Sequence, residues 1–500
     1  MKFTNTLLLV FAKLSIVVLS FLILSPFFSP FLNSDNAIHI LMGYDFHLPS
    51  DYYFWGQDRL GSIIPLLTHV LYKVLHVSPA LLSSFVLYSL VLLFVLMLSA
   101  FIENRWYKVL LCVLLFFPVH TTDHMLRLAH PYAAQYMFIL MSISLLFLFQ
   151  KAFKKRQDLK AGFLLAGLFL SGVMALWSSE GSIIAVLSII GAAGIQFRKD
   201  KNMTQAVRKF PRMKLGLFLL IGASIIILGA CFISYAKSNS MRVASYNEHW
   251  MASSSEMEQG VRCYLQAYYH GLCGNEGVLI SLHNIFFLAL ILFSIILLFE
   301  KKTTAFGFIP LFLLFNTIGG EMMVIMSKWV CLNHYNFWYQ TYPYVSLIAL
   351  FVVIGDRCNS ARLKPVFTGL LICYALITAS STATIYLTQK DKDLNERSLE
   401  DLKPLAQLGH CGIIGDQWNS FLLASANPEL IKVSSWYGDR NKRCIDSVLA
   451  CKIIYLVKNG WLETFPKQKT IFGRHLRFTN DSMTIAGFEL GKYQAFNPLP

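Results

Sequence analysis

The chain has 500 residues, of which 55% are hydrophobic and 14% are charged, and its formal net charge is +15. Soluble domains carry about a quarter of charged residues, so this composition excludes an ordinary soluble enzyme, a coiled coil and a disordered protein. Several apolar stretches reach about 20 residues, the length needed to cross a bilayer core of about 30 Å. The sequence therefore predicts a polytopic membrane protein.

Eleven membrane spans are predicted along the chain. They are 7–32, 83–102, 106–119, 132–149, 161–177, 181–197, 215–236, 278–299, 305–320, 337–354 and 365–387. The apolar run from Ile63 to Val77 is not counted, because a further span would reverse the side of every later loop. It is predicted to lie in the membrane interface as an amphipathic segment.

Basic residues are concentrated in alternate loops, with five in 151–160 and seven in 198–214. The positive-inside rule assigns these loops to the cytoplasm, which predicts an N-terminus inside and a C-terminus outside. The same distribution explains the positive net charge without a nucleic-acid partner.

The composition changes after the last span. Residues 1–388 form the predicted transmembrane domain, with its first exported loop at 33–82, and residues 389–500 form a predicted exported α/β domain. Short apolar runs bounded by turn residues predict strands at 411–415, 430–434, 451–457 and 483–487, and a helix at 421–425. In an outward loop, Cys263 and Cys273 are placed where the exported environment permits a disulfide.

The first exported loop holds two clusters of candidate functional residues. Asp35 follows the first span directly, and a carboxylate held at a helix end can act as a base on a lipid-borne substrate. The alternative is that Ser34 or Asp35 caps the helix that begins at Ala37. Gln57, Asp58 and Arg59 form the second cluster, which is either an ordinary ion pair or a phosphate site.

The second outward loop is short and dense in ionisable groups. Asp123 precedes His124 and Arg127, which are three residues apart and share one face of a helical turn. Together with His120 and His130 they predict an anion site.

Later outward segments add further candidates. Glu180 lies in a tight hairpin between two spans, where catalysis, metal binding and turn capping remain open. The segment 327–344 combines Lys328, His334 and Tyr335 with many aromatic residues, which fit either an interfacial aromatic belt or a surface that stacks on sugar rings.

The sequence has no P-loop and no Gly-rich nucleotide motif, which argues against ATP-driven transport. The predicted spans are nearly free of charge, whereas ion-coupled transporters bury ionisable groups near the bilayer centre. Both observations favour chemistry at the membrane surface.

The chain resembles the GT-C class of integral-membrane glycosyltransferases. Asp35 stands at the acidic position that this class carries after its first span, although Asn36 stands where many members have a second acid. Ala37–Tyr44 and Ile63–Leu75 correspond to the two interfacial helices of the class. The stretch from Tyr52 to Leu67 looks like the first-loop region of its bacterial members.

This resemblance implies a polyprenyl-phosphate-linked sugar as donor and a glycan, glycolipid or protein as acceptor, with Asp35 as general base. The donor phosphate would be bound among Arg59, His124, Arg127, Lys328 and His334. The substrate would be bound among Gln57, Asp58, Asp123, Glu180 and Tyr335. The resemblance implies no particular cofactor, and it leaves open a divalent metal, Mg or Mn, with Asp35, Asp123 or Glu180 as ligands.

The implied location is the bacterial inner membrane, with the active site on the periplasmic face. Three other functions remain open. A polymerase or ligase of lipid-linked glycans would depend on arginines in a late exported loop, and residues 320–336 contain none. A transporter or flippase would need polar residues deep within the spans, and a receptor or scaffold would make the exported domain the working part.

Overall fold

The computed structural model of the protein describes residues 2–199, 211–241, 251–273, 277–299, 307–389, 395–438 and 441–496. Ten helices in these ranges are long and apolar enough to cross a membrane. They are Lys2–Leu24, Pro79–Ser99, Tyr132–Lys154, Asp158–Ser178, Ser182–Lys199, Arg212–Ser238, Val278–Phe299, Phe308–Met326, Thr341–Arg357 (preceded by the 3-10 turn Phe337–Gln340) and Leu363–Thr388. Ten of the predicted spans are therefore confirmed as helices.

The span predicted at 106–119 has a different form. Asn104 caps the N-terminus of helix Arg105–Phe116, because its side-chain oxygen accepts a hydrogen bond from the backbone N–H of Trp106 at 2.9 Å. It has 12 residues and is followed by the 3-10 helix His120–Leu126, which is bent from it by 99°. If the pair counts as one span, the described helices give up to 11.

The first loop forms helices at both positions where interfacial helices are predicted, Ser34–Tyr44 and Ile63–Leu75. Asn33 caps the first of them, because its side-chain oxygen accepts a hydrogen bond from the N–H of Asn36 at 3.0 Å. The expectation that Ser34 or Asp35 is the cap is therefore wrong. A Cβ atom on Gly43 would lie 2.5 Å from Thr68, so glycine at this position lets the two helices pack closely.

The C-terminal part contains a six-stranded mixed sheet in the order β2-β1-β3-β6-β5-β4. β1 pairs in parallel with β2 and β3, and the other pairings are antiparallel. The strands are β1 Cys411–Gly415, β2 Ile431–Ser435, β3 Ile453–Val457, β4 Gln468–Ile471, β5 Arg474–Ile485 and β6 Phe488–Ala495. The predicted small α/β domain is therefore confirmed as a fold.

Shorter helices connect these elements. Helices Gln417–Ala424 and Lys442–Leu449 join the parallel strands. The remaining ones are Ser254–Leu272, Lys328–Leu332 and Leu399–Leu402, with a 3-10 turn at Lys403–Leu408. Cys263, in helix Ser254–Leu272, and Cys273, just after it, are free thiols, and so are the other eight cysteines.

The sheet is docked on the first loop. The Arg443 guanidinium donates to both carboxylate oxygens of Asp51, at 2.6 and 2.5 Å. The backbones of Leu32 and Arg397 exchange two hydrogen bonds, at 3.1 and 2.9 Å. These contacts hold the sheet against the start of helix Ser34–Tyr44, so the first loop and the C-terminal part form one packed unit.

Some sequence predictions stay predictions. Residues 200–210, which hold part of the basic loop 198–214, lie outside the described residues, and the inside or outside position of each terminus is not fixed by the fold. Helix Leu363–Thr388 ends at the predicted domain boundary, and residues 390–394 beyond it also lie outside the described ranges.

Candidate active site

Asp35 lies in the first turn of helix Ser34–Tyr44 and is partly buried. Both of its chain neighbours are fixed: the Ser34 hydroxyl donates to the Gln417 carbonyl at 2.6 Å, and the Asn36 side-chain oxygen accepts from the N–H of Ala129 at 3.1 Å. The first turn of a helix favours a negative charge, because its backbone N–H groups point toward it. The side chain of Asp35 is therefore held in one place at the start of this helix.

Tyr339 links this carboxylate electrostatically to a cation and to aromatic side chains. The Arg59 guanidinium carbon lies 4.5 Å from the centre of the Trp329 ring. The Tyr339 hydroxyl lies within electrostatic reach of both Arg59 and Asp35. Residues from the first loop and from the late loop thus meet at one site, which we call the Asp35 site.

Two histidines, a buried one at 124 and a half-buried one at 130, pack against Trp338, which precedes Tyr339 in the chain. The rings of His124 and His130 are 4.7 Å apart, and the Trp338 ring lies 5.7 Å from the first and 6.2 Å from the second. Burial, with the nearby Arg127 charge, lowers the pKa of His130 to about 3. Burial also lowers the pKa of His124 well below its usual range. Both imidazoles are therefore neutral near pH 7.

Asp123 is the centre of a buried polar network. It is 1% exposed and accepts hydrogen bonds from Arg127 at 2.9 and 3.3 Å and from the Tyr386 hydroxyl at 2.5 Å. Burial alone would raise the pKa of Asp123, but Arg127 and then His120 hold it well below its usual range. Because Arg127 also donates to Glu396 at 3.2 Å, its charge is balanced by two carboxylates. The cluster predicted as an anion site therefore offers little unbalanced positive charge.

Three other predicted site residues have partners of their own. Glu180 forms an ion pair with Lys237. Lys328 forms an ion pair with Glu256, and its hydrogen bond lowers the pKa of Glu256 to about 2. The Tyr335 hydroxyl donates to the backbone carbonyl of Glu256. Lys328 and Tyr335 thus share one cluster around Glu256.

Gln57 and Asp58 are two further predicted site residues, and they lie in the turn before Arg59. The backbone N–H of Gln57 donates to the Phe54 carbonyl at 2.9 Å, and Asp58 is buried. A Cβ atom on Gly61 would lie 2.4 Å from the Trp177 carbonyl oxygen, so this glycine lets the turn pack against the hairpin that carries Glu180. His334 is exposed, with a positive φ of 54°.

The carboxylates predicted as metal ligands do not fit a metal site. In the ranges that the structure describes, no group of three or more His, Cys, Asp or Glu side chains is placed to hold a metal ion. Asp123 and Glu180 are each engaged by a basic side chain, Arg127 and Lys237.

The sequence reasoning missed several residues around this site. His39 lies one helical turn after Asp35 and is 5% exposed, and its spacing of four residues was a usable signal. Glu396 reaches Arg127 from 269 positions away, and no sequence signal indicated that contact. Glu321 lies one residue beyond the predicted span 305–320 but inside helix Phe308–Met326.

His39 gives a prediction about stability and pH. Burial, and then the His130 charge, lowers the pKa of His39 to about 3, whereas an unfolded histidine has a pKa of about 6.5. As the pH falls below about 6.5, the unfolded chain takes up the proton first, and the folded state loses relative stability. We expect the melting temperature to fall between pH 7 and pH 5, and His39→Leu to make that fall shallower.

The control is His47→Leu, because the His47 side chain is 55% exposed. Thermal unfolding of the purified protein at several pH values measures the effect. An equal dependence on pH in the wild type and in His39→Leu would contradict the assignment.

The fold and the site define a class: a polytopic membrane protein in which a carboxylate, an arginine and aromatic residues meet beneath a small sheet domain. The sequence matches no protein-family model and no curated protein. Two solved structures are similar over 98% of both chains: ArnT from Cupriavidus metallidurans in the apo state, with TM-score 0.48 and 9% identity, and ArnT from the same organism bound to undecaprenyl phosphate, with TM-score 0.45 and 8% identity. At TM-scores below 0.5, this similarity assigns neither a family nor an activity to the chain.

Proposed function

We propose that the protein is a glycosyltransferase of the GT-C type. It would move a sugar from a polyprenyl-phosphate donor to a glycan, glycolipid or protein acceptor at the exported face of the bacterial inner membrane. The observation that carries this proposal is the Asp35 site, where a fixed carboxylate lies near Arg59 and the aromatic residues of the late loop. These groups supply a base, a cation for a phosphate and surfaces for a sugar ring.

In the proposed reaction, the acceptor hydroxyl attacks the anomeric carbon of the donor sugar. The Asp35 carboxylate takes the hydroxyl proton as the new C–O bond forms. The bond between the anomeric carbon and the phosphate oxygen breaks, and polyprenyl phosphate leaves with the electron pair. A single displacement of this kind inverts the configuration at the anomeric carbon.

The leaving phosphate needs a positive partner. Arg59 suits this role, because a guanidinium can hold two phosphate oxygens at once and its place over Trp329 fixes its orientation. Arg127 suits it less, because Nε, Nη1 and Nη2 already donate to Asp123 and Glu396. Lys328 is likewise paired with Glu256.

The function is tested by intact-mass analysis of envelope glycolipids and glycans. The comparison is between cells that lack the protein, cells in which it is restored, and cells with Asp35→Asn at equal abundance. Loss of one sugar in both the deletion and the variant is the expected result. Full rescue by Asp35→Asn would remove its role as base, and accumulation of a complete but untransported lipid-linked glycan would favour a flippase.

Arg59→Lys tests the phosphate contact. Lysine keeps the charge but loses the two-pronged geometry and the stacking on Trp329, so we expect the KM for the polyprenyl donor to rise about tenfold. Transfer of a labelled sugar by the purified protein gives this value. The control is Arg262→Lys, since Arg262 is exposed and pairs with Glu258 on its own helix. An unchanged donor KM in Arg59→Lys would contradict the role.

A further inference from the structure

The sheet domain has a second feature that the proposed chemistry does not use. Its parallel strands have the order β2-β1-β3, so the chain runs from β1 to the neighbour on one side and then crosses to the neighbour on the other side. In sheets of this kind, ligands bind beyond the carboxyl ends of the strands at the point where the strand order reverses. Here that point lies between the ends of β1, at Gly415, and β3, at Val457.

A cleft of about 540 Å³ opens next to this point, between the end of β3, Asn419 and the start of β6 at Phe488. Its volume lies within the range of small-molecule sites, which is about 300 to 1,000 Å³. The side-chain amides of Asn395, Asn419 and Asn459 line the cleft. Those of Asn419 and Asn459 each donate one hydrogen bond to the Asp416 carboxylate, and an amide has further donor and acceptor capacity for a ligand. The cleft also contains Lys458, Glu463 and Glu489.

The charges of the cleft disfavour a phosphate or a nucleotide. Asp416 caps the helix after β1, and its carboxylate accepts from the N–H groups of Trp418 and Asn419 at 2.8 and 3.2 Å. A carboxylate thus occupies the helix end that would otherwise attract an anion. Lys458 pairs with Glu489 at 2.5 Å, which leaves Glu463 as excess negative charge. The cleft therefore fits an uncharged ligand.

Large aromatic side chains lie along the same edge. Trp436 follows β2 and stacks on Trp461, which follows β3, with ring centres 5.8 Å apart and an angle of 4° between the planes. Trp436 is 44% exposed, and Trp418 and Tyr437 are also exposed. Exposed aromatic clusters on a folded domain mark binding surfaces. Flat apolar faces beside amides match the alternating C–H faces and hydroxyls of a sugar chain.

We infer that this carboxyl edge of the sheet domain is a binding site for a neutral oligosaccharide. The site adjoins the Asp35 site at one place and the Asp123 network at another. The Gln417 carbonyl, two residues before Asn419, accepts from Ser34 beside Asp35. Asn395 precedes Glu396, the partner of Arg127. The bound chain would be the acceptor glycan, and this last step alone rests on the proposed function.

The test uses the full-length protein in lipid nanodiscs and saturation-transfer NMR. The probes are neutral tetrasaccharides of glucose, galactose, mannose and N-acetylglucosamine, with the phosphorylated form of each as an anionic comparison. We expect at least one neutral probe to bind, and Asn459→Ala and Trp436→Ala each to weaken its binding tenfold or more. The matched control is Trp106→Ala, a 66% exposed tryptophan on helix Arg105–Phe116, which should bind as the wild type does.

Three results would overturn the inference: no neutral probe binds the folded wild type, Asn459→Ala binds as well as the wild type, or a phosphorylated probe binds more tightly. Asn459→Ala keeps the test decisive if Trp436→Ala fails to fold. Asp35→Asn separates the two proposals, because it should lose transfer and keep oligosaccharide binding. If the wild type binds the oligosaccharide but transfers no sugar, the proposed function is rejected and the binding site stands.

Discussion

Asp35→Asn is expected to lower the rate of sugar transfer by about two to four orders of magnitude, the usual contribution of a general base. Asparagine has nearly the same shape but cannot take the acceptor proton. The contacts of Ser34 and Asn36 do not involve the changed group, so the fold should persist. Initial rates of transfer by the purified protein, with melting temperature measured in parallel, give the result.

The matched control is Asp45→Asn, a change of the same kind at the other end of the same helix. Asp45 is exposed and bonds to His47, away from the Asp35 site. Its variant should transfer sugar at the wild-type rate. Asp35→Asn with more than about a tenth of wild-type activity would be incompatible with a base that contributes as much as this.

Asp123→Ala is expected to lower the free energy of unfolding by about 3–5 kcal/mol, the usual cost of removing one partner of a buried ion pair. The change leaves Arg127 buried with only Glu396 as a charged partner, and the Tyr386 hydroxyl loses its acceptor. The effect is measured by denaturant unfolding in detergent micelles.

Asp158→Ala is the control for this change. Asp158 pairs with Lys214 at an exposed position, so its loss should cost no more than about 1 kcal/mol. A stable but inactive Asp123→Ala would show that Asp123 works in the reaction and does not mainly support the fold.

The membrane helices could be predicted because their signal is local. A run of apolar residues fixes a span, and the two helices of the first loop differ by at most three residues at their start from the predicted ranges Ala37–Tyr44 and Ile63–Leu75. The third span was predicted too long, since its helix ends at Phe116, shortly before Pro118, and the next 3-10 helix is bent from it by 99°. The contact of Asp123 with Tyr386 is long-range, and no local pattern indicates it.

The sheet could be predicted only in part. β1, β2 and β3 are buried, and parallel strands covered on both faces form short apolar runs that stand out in a sequence. β5 is long and largely exposed, and it carries Arg474, Arg477 and Asp481, so its apolar signal is weak. β4 and β6 were missed and most of β5 with them, although the run at 483–487 lies over its end.

The Asp35 site could also be predicted from the sequence only in part. Asp35 could be proposed from its position after the first span, but its neighbours Trp329 and Tyr339 come from about 300 residues further along the chain. The charge of Arg127 and its spacing of four residues from Asp123 could be seen in the sequence, whereas its second partner Glu396 could not. Local patterns supplied candidates, and long-range pairing decides which of them have their charge balanced within the protein.

The ion pair between Asp51 and Arg443 also determines the order in which the parts of the chain can pack together. The two residues are 392 positions apart. At a synthesis rate of about 5–20 residues per second, Arg443 is added about 20 to 80 s after Asp51. During that time the helix that carries Asp35 lacks the Ser34 contact to Gln417. A chain still on the ribosome is therefore without a complete Asp35 site, and synthesis of the C-terminal part is the step that completes it.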